Sequence, residues 1–351
     1  MDRRDFLKST GAAAAAAAAT AGQALADAAP LAAPNLNRGH REFRLALTWP
    51  DTCAGPSESA RRLAAAIERD SDRRFKFSFL SATTGSDAIG GDQADFTFGS
   101  AHEAAASEAA FAYFGGLPGQ HGLAPRHLQQ WLMVGGGETL WDELAAAHGL
   151  KSILAGHTGE SAGLWSRAPI ADASALQSQR IWASGLARDV VRGLGAEPSD
   201  LVPADVAVAV ASGEVFAVDA GGMIAAYSMG LMDAAPQRVP CAITPFGTAL
   251  ALTCKRAVWE SMTRADQALI QAAAQAEFQT MVAEEAAHGP LFPVAAPTPG
   301  ARRAAVELAH AVHHVSDAVV AHLASANSRT ARINASYMAF RGAVTGGENV
   351  A

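Results

Sequence analysis

The sequence predicts an α/β protein with mainly parallel sheets flanked by helices and a long C-terminal helical segment. Three observations carry that prediction. Short apolar strands alternate with amphipathic helices through the first half of the chain, the same alternation returns in the second half, and beyond residue 254 the pattern is helical almost throughout. Alternation of this kind buries a mostly parallel sheet between helices, and its recurrence implies two such layers.

The elements follow in order. FRLAL at residues 43–47 reads as a strand, residues 56–68 as a helix opened by a proline, and RFKFSFL at 74–80 as an alternating strand. ADFTFGS adds a strand, helices cover 125–134 and 138–148, and SILAG at 152–156 returns to strand. Gly135-Gly136-Gly137 between the two helices reads as a turn, because no strand leads into it and no P-loop residues follow. In the second half RIW at 180–182 is a short strand, Ser184 is placed to cap a helix carrying Leu186, Val190, Val191 and Leu194, and Gly195 closes it. A helix around 205–212 and EVFAVDA as a buried strand complete the alternation. TALALTC at 248–254 is a last strand, followed by helices over 255–287, 299–326 and to about 341.

Residues 1–26 read as a twin-arginine (Tat) signal peptide: Arg3-Arg4 in an RRxFLK setting, an alanine-rich run, and Ala24-Leu25-Ala26 as the cleavage triplet. Roughly 325 residues remain, enough for two cores. No later run of eighteen apolar residues suggests a membrane span, so a periplasmic protein is expected. With 27 basic and 34 acidic residues and no basic block, nucleic acid is not an expected partner. Cys53, Cys241 and Cys254 permit one disulfide in an oxidising compartment; Cys241 and Cys254 flank one turn and are the favoured pair, with three separate buried thiols as the alternative.

Candidate chemistry is sparse. His310, His313, His314 and Asp317 recur at i, i+3, i+4 and i+7 of a helix, which suits either a metal site led by His310 and His314 or a solvated face. Ser161 in HTGESAGLW lacks the glycine spacing of a nucleophile elbow. Trp182, at the carboxyl end of its strand, is either a ligand wall or a core residue under the next helix. No cofactor motif is present.

Several segments together resemble one family. WLMVGGGETLWDELAAAHGLKSILAGHTG, residues 131–159, matches the pattern W-L-x-x-G-G-G-x-x-L-W-D-E followed by A-G-N-T-G, with His157 in place of the asparagine. GLWSRAPI, GLARDVVRGLGAEP, SGEVFAVDA, GTALALTCKRAVWESM and INASYMAFR match in family order. On these motifs the chain resembles the DctP family, the solute-binding proteins of tripartite ATP-independent periplasmic (TRAP) transporters, in the branch handling 2-oxo acids and also labelled mannitol/chloroaromatic. The resemblance implies a non-enzymatic two-lobed periplasmic binding protein, with lobe I from residues 40–157 and 247–288, lobe II from 158–246, and C-terminal helices from 289–345 packing across the lobes or on a dimer partner. It further implies a small organic solute and TRAP membrane permease subunits as partners, and a homodimer.

The departures concentrate at the family's ligand positions. In SQRIWASGLA, Arg180 replaces a lysine and Trp182 the carboxylate-binding arginine. Ser161 stands for a glutamine, Gly222 and Met223 for a Glu-Trp pair, and His102 and Glu103 for an aromatic pair; a further glutamate falls near Pro245. A guanidinium has become an indole, so the fold is expected to carry over and the carboxylate ligand is not. Trp182, Met223, Phe246 and His102 point to a more apolar pocket. Two other readings remain at this level: a binding scaffold turned sensor or accessory protein, and a Tat-exported metal protein using the C-terminal histidines.

Overall fold

The computed structural model describes residues 39–49, 53–81, 85–90, 92–105, 108–294 and 296–348; the signal peptide lies outside them. Strands β1 (Arg41–Leu47), β2 (Phe75–Ser81), β3 (Phe96–Ser100), β4 (Leu150–His157) and β10 (Ala249–Lys255) form the sheet of lobe I in the order β2-β1-β3-β10-β4. Strands β5 (Leu164–Ser166), β6 (Arg180–Trp182), β7 (Glu197–Pro198), β8 (Ala217–Asp219) and β9 (Gln237–Val239) form that of lobe II, in the order β7-β6-β8-β5-β9. In both, four strands run one way and one runs against them: β10 is antiparallel to β3 and β4, and β5 to β8 and β9. The sheets are therefore mixed. The reversed strand is in each case the one entered from the other lobe, so it starts where its neighbours end.

The two crossovers, 158–163 and 240–248, touch closely. Thr158 N–H donates to Thr248 O at 2.9 Å, Thr248 N–H returns a bond to Thr158 Oγ1 at 2.9 Å, and Ser161 N–H donates to Pro245 O at 2.8 Å. Gly247 has φ +70°, and a Cβ there would sit 1.8 Å from Gly159 O, so both conformation and approach demand glycine.

Lobe I is closed by aromatic packing, Phe43 lying 5.6 Å from Phe75 and 5.2 Å from Phe96 between ring centroids, with helix α1 (Pro56–Asp70) burying Ala60, Leu63 and Ile67 beneath them. The tryptophan-glycine motif is part of this scaffold. Helices α2 (Pro125–Met133) and α3 (Gly137–Ala146) meet at the predicted glycine turn, where Gly136 takes φ +85°. Phe114 stacks between Trp131 (5.3 Å) and Trp141 (5.1 Å), and Trp131 Nε1 donates to Ser336 Oγ at 3.1 Å. Asp142 of the same motif pairs with Lys151 and Arg256 at 2.9 and 2.8 Å.

In lobe II the chain leaves Trp182 through a turn before helix α4 (Ala187–Gly193), whose N-cap is Leu186, not Ser184. Gly185 at φ +56° delays the helix by two residues and takes Ser184 out of capping reach. Helices α5 (Pro203–Ser212) and α6 (Met223–Ser228) flank the lobe II sheet; α7 (Arg264–His288) packs on lobe I, opened by a Thr263–Asp266 capping box. Helix α8 (Pro299–Ala324) lies on both lobes: Leu308 and Val312 join the cluster around Val190 and Ile243, while Val320 and Leu323 join that of Phe114 and Trp131. Helix α9 (Ser328–Glu348) returns along lobe I with Ile333 and Tyr337 buried.

The cysteines are three free thiols. The favoured Cys241–Cys254 pairing fails because the intervening residues cross between lobes instead of turning back, leaving Cys254 within the lobe I sheet and Cys241 beyond β9 of lobe II. Burial pushes both thiols up to about 12 and Cys53 to about 11. The C-terminal histidines do not gather either. His310 and His314 are exposed on α8, Asp317 pairs with His121 at 2.7 Å, and among the described residues no three His, Cys, Asp or Glu side chains form a metal site. Among the same residues no helix is long and apolar enough to cross a membrane.

Candidate functional site between the lobes

The carboxyl ends of β1, β3, β6 and β8 face one another across a cleft, as expected of ligand sites in open α/β sheets. A cavity of about 430 Å³ opens there. Lobe I supplies Trp49 after β1, Ser100 ending β3, and His102 and Glu103 from the following turn; lobe II supplies Trp182 through Leu186 and the rim residues Arg188 and Asp200. A recess of about 10 Å³, room for one water, opens off the same walls between Trp49, Trp182, Ser184 and Asp219.

Trp182 answers both sequence-level descriptions. It is 6 % exposed, and its Nε1 donates to Leu201 O at 2.8 Å, so the polar edge is satisfied within lobe II while the ring borders the cavity. Trp49, 8 % exposed, comes from lobe I yet belongs to the same apolar cluster. His102 is wedged between lobes: a Cβ on Gly185 would lie 3.0 Å from its Nδ1, and one on Gly115 3.1 Å. Burial pulls its imidazole down to about 4, so the ring is neutral at physiological pH.

The remaining residues of the sequence analysis fall elsewhere. Ser161 sits in the first crossover, donating to Asp219 Oδ1 at 3.1 Å; Thr244 N–H donates to Oδ2 at 2.7 Å. Burial raises Asp219 to about 6 against these donors. Gly222 and Met223 lie across the crossovers beside Glu285 of α7, which accepts from Met223 N–H at 2.6 Å and Ile224 N–H at 3.2 Å. A Cβ on Gly222 would meet Glu285 Oε1 at 2.5 Å. Met223 borders a separate cavity of about 840 Å³ with Arg238 and Phe292, and Phe246 packs on Gly122. The structure thus brings Trp182 and His102 together at the cleft and leaves Ser161, Gly222 and Met223 in or beside the crossovers.

Charge in the cleft is nearly all spoken for. Arg188 pairs with Asp200 and donates to Ser199 O at 2.8 Å. Asp189 pairs with Arg192 at 2.5 Å, and Glu108 accepts from Ala110 N–H at 3.3 Å and faces His148 at 3.8 Å. Arg180 is on the outer surface with Glu214 at 3.0 Å. Glu103 differs. Its Oε2 is buried with no hydrogen bond of good geometry, as is the neighbouring Thr48 Oγ1. Burial pushes its carboxyl up to about 7, and Thr48 and Ser100 draw it only part of the way back. Trp49 and the isolated Glu103 carried no signal in the sequence beyond an apolar strand end and a misplaced acid.

Residues 1–20 match the model of the TAT (twin-arginine translocation) pathway signal sequence. Similar solved structures are TRAP-transporter solute-binding proteins. One from Bordetella bronchiseptica RB50, a mixed-occupancy dimer with copurified calcium and picolinate, is 20% identical over 89% of this chain and 95% of its own, with a TM-score of 0.78. A second, from Pseudoalteromonas atlantica T6c with sodium and pyruvate, is 20% identical over 89% and 97%, TM-score 0.78. A third, from Chromohalobacter salexigens DSM 3043 with (S)-(+)-2-amino-1-propanol, is 15% identical over 87% and 97%, TM-score 0.75.

The fold is that of the TRAP solute-binding proteins. At these identities the likeness establishes the two-lobed architecture, and the ligands of these neighbours do not single out the mannitol/chloroaromatic branch.

Proposed function

We propose that this chain is the periplasmic solute-binding subunit of a TRAP transporter: it captures a small organic solute between its lobes and presents the closed form to membrane permease subunits. The observation that carries this reading is the 430 Å³ cleft walled by Trp49 from one lobe and Trp182 from the other. A solute held by both walls stabilises the closed arrangement by its differential contacts, which is the requirement for ligand-driven closure. The twin-arginine signal and the fold support export to the compartment where such receptors work. The role is binding, not catalysis; its neighbours are solute receptors. Trp182 and His102 serve as ligand contacts, and Ser161, Gly222 and Met223 as hinge residues. Pairing of two copies, as in the Bordetella bronchiseptica dimer, is part of the same proposal.

Capture of an organic acid together with calcium or sodium, the pairs named for two neighbours, is not part of this reading. The cleft lining lacks an uncommitted cation among the described residues, and position 222 has no side chain. The test is a thermal-shift screen of the signal-free protein against 2-oxo acids, aromatic carboxylates, polyols, sugars, amines and neutral aromatics, followed by small-angle scattering. A stabilising compound that also lowers the radius of gyration supports capture by closure; stabilisation by none of these classes sinks the transport reading and favours a scaffold that no longer binds solute.

A further inference from the structure

We infer that the cleft takes a small organic cation, an amine or quaternary ammonium on a compact apolar body, with Glu103 as its counter-charge and Trp49 and Trp182 as its walls. The inference rests on the reading of the cleft as a solute site and names the solute's charge. It comes from balancing the charges around the cavity. Asp200 and Asp189 each pair with an arginine, Glu108 is held by Ala110 N–H and faces the His148 ring, and Arg188 is committed to Asp200 and to Ser199 O. Glu103 lines the cavity and has no basic partner among the described residues: Thr48 and Ser100, both uncharged, hold its carboxyl, and its Oε2 is closed off without a hydrogen bond.

An anionic solute would meet that carboxyl with no free guanidinium to offset it. A cation meets a partner that the protein has left unprovided. Its alkyl or aromatic body then lies among two indoles, whose ring faces attract positive charge. The Trp182 N–H is already bonded to Leu201 O and makes no demand on the solute. A cation beside Glu103 also favours the ionised carboxylate, so binding of a permanently charged solute strengthens as pH rises through about 7.

The experiment uses the signal-free protein and two matched series in calorimetry and thermal shift: choline against its neutral isostere 3,3-dimethylbutan-1-ol, and benzylamine against benzyl alcohol and benzoate. The cationic member of each series is expected to bind at least tenfold more tightly than the neutral one, with benzoate weakest. Glu103→Gln, an isosteric change checked by its melting curve, should erase the cation preference, bringing choline and benzylamine down to the affinity of their neutral counterparts. Choline affinity should rise between pH 6 and pH 8 in the wild type and stay flat in the variant. Tighter binding of benzoate or the alcohols than of the cations, or a cation preference surviving in Glu103→Gln, overturns the inference while leaving the cleft a solute site. Absence of binding by every probe overturns the inference, and it takes the solute-site reading with it only if the wider thermal-shift screen also finds no stabilising compound.

Discussion

His157 ends β4 at the point where the chain leaves lobe I. Its ring is 2 % exposed, its Nδ1 accepts from Gly159 N–H at 3.1 Å, and its edge meets Phe278 with centroids 6.3 Å apart. Burial holds the imidazole down to about 3, against an ordinary value of 6.5. The folded pKa lies below the unfolded one, so this contribution to stability is complete above about pH 6.5 and is lost as pH falls towards 3. Linkage over this interval gives a loss of about 2 kcal/mol at pH 5 relative to pH 8. Asp219 and Glu103 work in the opposite sense. Their folded values, about 6 and about 7, are raised, so their contributions are complete at low pH and lost as pH climbs through those values. The wild-type profile therefore mixes opposing slopes, and the His157→Asn variant isolates one of them. Urea unfolding of both proteins at pH 5, 6, 7 and 8 should show the variant weaker at pH 8, where it loses ring packing, with the gap shrinking by about 2 kcal/mol by pH 5. A gap that stays constant across the range would mean that the ring is solvated or paired and would refute the argument.

Other outcomes follow from burial and backbone geometry. Trp182→Ala should abolish solute binding and also cost ~3 kcal/mol of stability, because the indole is both cavity wall and core; equal melting curves would contradict its burial. Gly247→Ala should destabilise by ~2 kcal/mol or more in denaturant titration, since the added methyl collides with the Gly159 carbonyl in a left-handed conformation. Dithiothreitol should leave Tm unchanged, and a thiol reagent should modify half-buried Cys241 before Cys53 or Cys254; a Tm drop on reduction would reveal a disulfide. Glu285→Ala strips two amides of their acceptor where lobe I touches helix α6, and should raise the ligand-free radius of gyration.

Most of the architecture was legible because strand and helix periods are local. RFKFSFL alternates as a strand must, whereas the helix read over 255–287 is broken after Glu260, and a Thr263–Asp266 capping box starts α7 anew. Ser184 misled because capping chemistry was read without the backbone: Gly185 turns the chain first. The Cys241–Cys254 pairing misled because a crossover between lobes and a hairpin have the same turn-rich composition. The cleft was legible at Trp182 and His102, which follow strand ends. Trp49 and the isolation of Glu103 depend on which partners arrive from distant segments, and no window of sequence reports an absent counter-ion. Ser161, Gly222 and Met223 were placed by motif position, but the crossovers set them behind the cleft wall, where Glu285 fills the space beside Gly222.

The insertion of β10 between β3 and β4 also fixes an order of events during synthesis. Two strands of the first sheet emerge from the ribosome with a gap between them, and the segment that fills it follows only after the whole of lobe II has been made. The sheet of lobe II, by contrast, is encoded without interruption and can pair while lobe I waits with an open seam of unpaired amides and carbonyls, its cover by Leu308 and Val312 of α8 arriving later still. Export by threading would expose that seam on the far side of a membrane. A pathway that moves its cargo already folded, the one to which the match at residues 1–20 points, lets that seam close before the chain crosses.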